Sequence, residues 1–217
     1  MFFVDNLHFP HYTFLGILKK GFFTMKQNKL TVRGMILAAL FAALAAVLSQ
    51  ISFPIGISPV PFSLGICAVF LTGALLDKKY ALIALLVYLL LGAVGLPVFS
   101  QFRGGFSVLA GPTGGYLFSY PVSAFLIGLL CDLMKKRNVF TLIVSMLAAL
   151  AVCYAVGTLW LSFVSQITFM EALAAGVIPF VIPDIVKVVL CSVLATILLH
   201  ATRKYNVFYK APKQNQD

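Results

Sequence analysis

The sequence predicts an all-α polytopic membrane protein with six transmembrane helices. Three observations carry that prediction. Of the 217 residues, 61% are hydrophobic and 10% charged, with a mean hydropathy of +1.03. A soluble domain carries about a quarter charged residues, so this chain cannot cover a globule with polar surface and its solvent must largely be lipid. Six apolar segments also follow one another along the chain. The basic residues, finally, cluster between alternate segments.

The apolar segments cover residues 35–51, 63–76, 80–96, 116–133, 140–164 and 174–200. A helical span needs roughly 20 apolar residues, which makes the second segment short. Backbone in hydrocarbon has no water to bond, so each segment is expected to be helical. The sixth carries Pro179 and Pro183 in its first turns.

Charge sets the orientation. Lys26, Lys29 and Arg33 precede the first segment, and Lys78 and Lys79 follow the second. Lys135, Lys136 and Arg137 follow the fourth, and Arg203, Lys204, Lys210 and Lys213 follow the sixth. Six crossings put all four clusters on one side. By the positive-inside rule that side is the cytoplasm, with both termini there. The net charge of +10 is thereby explained by topology rather than by nucleic acid. Cys67, Cys131, Cys153 and Cys191 lie in apolar runs without metal or redox spacing, and read as small buried hydrophobes.

Residues 1–24 lack the order of a signal peptide. They are either an N-terminal extension or an untranslated leader, with translation starting at Met25. Residues 25–217 form one transmembrane domain.

The loops expected outside are long, apolar and rich in Gly and Pro, at residues 53–61, 95–99, 103–105 and 111–115. Irregular backbone at membrane depth needs protein or a cavity around it, so these loops are expected to fold over a ligand. Asp184 and Lys187 are the strongest candidates to meet one. Spacing i, i+3 puts them on one helix face. Each charge near the bilayer centre costs about 2.5–3.5 kcal/mol, so it faces a cavity or a partner. The alternative is an ion pair that only locks the last helix in place. Arg103, the one basic residue of the outer loops, is a candidate anion contact at the pocket mouth or a solvated loop charge. Gln101 in the same loop, with Tyr88, Tyr116 and Tyr120, completes the candidate lining; packing or an aromatic belt is the alternative for the tyrosines. Ala38, Ala42 and Ala46 recur every fourth residue, with Ala39 and Ala43 alongside, and let another helix approach closely. Intrachain packing and partner docking both fit that spacing.

Enzyme signatures are not found. Beyond Met25 the single histidine is His200, so there is no Ser/His pair, HExxH motif or metal-spaced cluster. Residues 111–115 read Gly-Pro-Thr-Gly-Gly and lack the Lys and spacing of a P-loop. No catalytic residue, metal or cofactor is expected.

The run Pro59-Val60-Pro61-Phe62-Ser63-Leu64 leads to Gly95-Leu96-Pro97-Val98-Phe99 and then to Gly111-Pro112-Thr113-Gly114-Gly115-Tyr116-Leu117. With Pro183-Asp184 and Lys187, these motifs resemble the BioY family, the biotin-specific S components of energy-coupling-factor transporters. The resemblance covers essentially residues 25–203. It implies a six-helix S-component fold in a bacterial plasma membrane that captures biotin at the outer face. It also implies a transmembrane coupling subunit and two cytoplasmic ATPases as partners. Carried over by position, Asp184 and Lys187 contact biotin, Gln101 stands where relatives often have another polar residue such as Asn, and Ala38, Ala42 and Ala46 match the alanine motif that meets the coupling subunit. Two departures stand out: Ser63-Leu64-Gly65 replaces a common Thr-Leu-Gln, and Arg103 replaces a small or polar residue. An S component for thiamine or riboflavin, and an intramembrane protein of non-transport function, are the alternatives.

Overall fold

The computed structural model describes residues 30–56, 58–202 and 208. The expectation for residues 1–24, and the first and last basic clusters apart from Arg33, lie outside the described residues. In chain order the elements are α1 (Val32–Gln50), β1 (Ser52–Phe53), β2 (Phe62–Ser63), α2 (Gly65–Leu75), α3 (Lys78–Ala93), a 3-10 turn (Ser100–Phe102), α4 (Phe106–Ala110), α5 (Gly114–Leu133), α6 (Val139–Ser165), α7 (Phe169–Gly176) and α8 (Ile178–Thr202).

Each of the six apolar segments holds a helix. Four of them, α1, α5, α6 and α8, are long and apolar enough to cross a membrane. The 11-residue α2 is different in kind. At 1.5 Å per residue it is roughly 16 Å long, about half a hydrocarbon core. Every residue in it except Cys67 is buried, enclosed by α1, α3, α5 and α8. It is apolar all round because protein, not lipid, surrounds it. Gly73 makes the closest of these approaches possible, since a Cβ there would sit 2.7 Å from the Ala124 carbonyl oxygen of α5.

Arg137, which follows α5, does more than mark a side. Its guanidinium donates to the carbonyls of Ala74 and Leu76 and pairs with Asp132, which Lys78 also reaches at 3.3 Å. The carbonyls left open at the end of a buried helix need such a donor. α6 begins where the Thr141 N–H meets Asn138 Oδ1 at 3.0 Å.

The sixth apolar segment is not one helix. α6 ends at Gln166 in the left-handed region, with φ of 54°. A capping box of Thr168 and Glu171 then starts α7. The chain turns again at Val177 before α8. The expected single helix over 174–200 is therefore corrected to the end of α7 plus α8. Pro179 falls in the first turn of α8, where a missing N–H is tolerated. Pro183 stays inside the helix, unable to donate to the carbonyl four residues back. α5 packs on α6, α3 and α2, and α8 on α2, α6 and α7. The first outer loop is tied down by β1 and β2, which pair antiparallel with Ser52 opposite Ser63.

Candidate functional site

Asp184 and Lys187 lie on the same face of α8, each 6% exposed. Their charges meet at 2.7 Å between Asp184 Oδ1 and Lys187 Nζ. Two buried charges persist only when paired and further hydrogen-bonded, and both are. Tyr154, from the middle of α6, donates its hydroxyl to Asp184 Oδ2 at 2.7 Å. Lys187 Nζ donates to the Ser63 carbonyl at 2.8 Å and sits 3.8 Å from the centroid of the Phe62 ring, a cation–π contact. The β1–β2 pair thus places a carbonyl and an aromatic face where the ammonium needs them.

The pair floors a pocket with about 450 Å³ of empty space, its open mouth included. Val60, Pro61 and Ser63 wall it from the first outer loop, and Ile66 from the start of α2. Tyr116 and Tyr120 come from α5, Leu150, Cys153 and Tyr154 from α6, Gly176 from the end of α7 and Phe180 from α8. Tyr116 stands in a slot made by two glycines. A Cβ at Gly157 would lie 2.3 Å from its ring, and one at Gly176 would lie 2.2 Å from its hydroxyl. That hydroxyl donates to the Gly176 carbonyl at 3.0 Å. The first turns of α2 and α8 both border the pocket, so the positive ends of two helix dipoles favour an anionic group there.

Of the residues the sequence singles out, Asp184, Lys187 and Tyr116 line this one pocket, with Tyr120 beside them. Tyr88, Gln101 and Arg103 lie outside this lining. Tyr88 is buried in the core. Its hydroxyl bonds Ser49 Oγ at 2.9 Å, and its ring stacks on Tyr120 with centroids 6.5 Å apart. It backs the pocket wall rather than forming it. Gln101 and Phe102 take positive φ of 63° and 55° in a turn tied to the end of α1. The Gln101 N–H donates to Ser52 Oγ at 3.1 Å, and the Phe102 N–H to Gln50 Oε1 at 2.8 Å. Arg103 is exposed, and its carbonyl accepts from the Phe99 N–H at 2.9 Å. Tyr154 was not singled out by the sequence, where it is one aromatic in a long apolar run.

The alanine series is also redistributed. Ala38 and Ala42 are 2% exposed and pack inside the chain, and Ala46 is half-buried. Ala39 and Ala43 are the alanines of α1 left exposed. The expected docking triad thus belongs largely to the core, because its face of α1 turns toward α2 and α3.

Fold and pocket together define a multi-pass membrane protein with an open pocket, floored by a buried ion pair, inside a helical bundle. The chain belongs to the BioY family, whose model matches residues 25–204. It is 44% identical over 164 residues to the biotin transporter BioY of Thermotoga maritima, covering 76% of this chain and 94% of that one. It is 40% identical to the probable biotin transporter BioY of Pyrococcus horikoshii, covering 73% and 91%. The crystal structure of the S-component for biotin from an ECF-type ABC transporter superposes with a TM-score of 0.74 at 30% identity, covering 79% of this chain and 95% of that one. This is a family of transporter components, not of enzymes.

Proposed function

We propose that this protein is the biotin-binding S component of an energy-coupling-factor transporter. It captures biotin at the outer face of a bacterial plasma membrane for uptake. The observation that carries the reading is the 44% identity to a biotin transporter across nearly the whole of that relative. The pocket agrees in its chemistry. Biotin presents a flat ureido group with N–H donors, an apolar bicyclic ring and a carboxylate. Asp184 supplies an acceptor, Tyr116, Tyr120 and Phe180 supply apolar faces, and the two helix N-termini suit the carboxylate.

In this reading the chain crosses the membrane six times with both termini in the cytoplasm. Lys78, Lys79, Lys135, Lys136 and Arg137 sit where α2 meets α3 and where α5 meets α6. The pocket is built at the opposite ends of these helices, from the starts of α2 and α5. The face of α1 that carries Ala39 and Ala43 docks a transmembrane coupling subunit, which two cytoplasmic ATPases drive. Calorimetry of the purified protein against biotin, thiamine and riboflavin tests the ligand. Biotin alone is expected to bind; preference for either of the others overturns the assignment.

A further inference from the structure

The buried helix α2 is held at both ends with little slack in the chain. One residue, Leu64, separates it from β2, and two, Leu76 and Asp77, separate it from α3. At its start the Gly65 N–H donates to Ser63 Oγ at 2.9 Å, and the carbonyl of the same serine accepts from Lys187 Nζ at 2.8 Å. At its other end the Arg137 guanidinium donates to the Ala74 and Leu76 carbonyls, with 5% of its side chain exposed. Asp132 meets that guanidinium at 3.5 Å and also takes Lys78, the first residue of α3, at 3.3 Å. α5 closes the joint from the side. A Cβ at Gly128 would lie 2.9 Å from Lys78 Cβ, and one at Gly73 would lie 2.7 Å from the Ala124 carbonyl oxygen. A helix packed this closely transmits a displacement rather than absorbing it.

We propose that Arg137 is a positioning residue for the pocket, acting along the roughly 16 Å of α2. Arg137 does not line the pocket. Its guanidinium fixes the far end of the helix, the helix fixes Ser63, and the Ser63 carbonyl fixes the ammonium of Lys187. The assignment rests on the biotin reading and adds to it a control point at the end of the molecule away from the ligand. Coupling of this kind is reciprocal. Whatever moves the joint of Arg137, Asp132 and Lys78 alters ligand affinity, and bound ligand stiffens the joint. A contact made on the turn between α2 and α3 thus reaches the pocket without entering it. An arginine that only stabilised the bundle would leave the pocket of every folded molecule intact.

The test uses the full chain in detergent, with biotin calorimetry, thermal unfolding and hydrogen exchange over residues 72–81. The proteins are the parent, R137Q, G128A and N138A. G128A pushes on the same joint without changing a charge. N138A removes the cap of α6 at the same end of the molecule and controls for lost stability alone. In the parent, biotin is expected to slow exchange of the Leu76 and Ala81 N–H groups severalfold; these bond the Thr72 and Asp77 carbonyls around the joint. R137Q and G128A are expected to weaken biotin about tenfold per folded molecule, counted from the binding stoichiometry, and to abolish that slowing. R137K keeps a cationic donor and is expected to recover part of the affinity. N138A is expected to melt earlier and still bind biotin within twofold of the parent. An R137Q protein that melts earlier but binds like the parent marks a structural role and overturns the proposal. So does a parent whose residues 72–81 exchange equally with and without biotin, a result that needs no variant. If the parent binds no biotin, the proposed function falls and the positioning role with it; if it binds biotin without the coupling, only the positioning role falls.

Discussion

Asp184 is held inside an apolar helix by Tyr154 and Lys187, each of which bonds one of its oxygens. The arrangement gives asymmetric consequences when one member is removed. Asp184→Asn keeps the volume but leaves the Lys187 ammonium facing an amide, and biotin affinity should fall by more than a hundredfold. Lys187→Ala strands the carboxylate, and breaking a buried pair from one side costs about 3–5 kcal/mol. That variant should lose binding and melt markedly earlier. Asn at 184 together with Gln at 187 removes both charges at once, so the fold should return while binding does not. Biotin calorimetry beside thermal unfolding in detergent reads all three; a double variant that binds like the parent would reduce the pair to a structural lock. The two charges were legible in the sequence because nothing polar surrounds them for a full turn on either side. Tyr154 was not, since its role depends on which way one tyrosine of α6 faces, and an apolar run on both sides hides that direction.

Among the helices, the α5–α6 contact shows how backbone spacing sets a pocket wall. Tyr116 of α5 fills a slot that exists because Gly157 of α6 and Gly176 of α7 have no side chains. Gly157→Ala raises helix propensity by roughly 1 kcal/mol, which alone would stabilise. The new methyl would stand 2.3 Å from a ring already fixed by its bond to the Gly176 carbonyl. Overpacking of this kind costs about 1–3 kcal/mol, so the net effect should be a lower melting temperature and weaker ligand binding. Putting the same change on a Tyr116→Ala background removes the clash, and there Gly157→Ala should be neutral or stabilising in thermal unfolding. At this level hydrophobic runs located every long helix, because lipid and core both demand apolar residues. They could not separate a buried helix such as α2 from a full span, nor show the break at Val177 inside a run that stays apolar on both sides. α4, α7 and the β1–β2 pair are too short to leave a period at all.

For the whole molecule, the question is which apolar surface faces lipid and which faces a partner. Most of the exposed surface of α1 is bulky: Val32, Ile36, Leu40 and Val47 are each at least 60% exposed. Ala39 and Ala43 are the small residues on that side, four apart, and form a shallow track where another helix can come close. A track of alanines has no packing value against fluid lipid, whereas it sets the approach distance of a helix. Ala42, one residue away, is buried inside the chain at 2% exposure, and the pair separates the two roles. Ala42→Leu forces a larger side chain into the packed interior and should lower the melting temperature and biotin affinity together. Ala43→Leu touches nothing inside the chain. It should leave melting and biotin calorimetry unchanged while blocking co-purification with the coupling subunit and biotin uptake in cells. Normal uptake and a fully assembled complex with Ala43→Leu would assign this face to lipid and remove it as the docking surface.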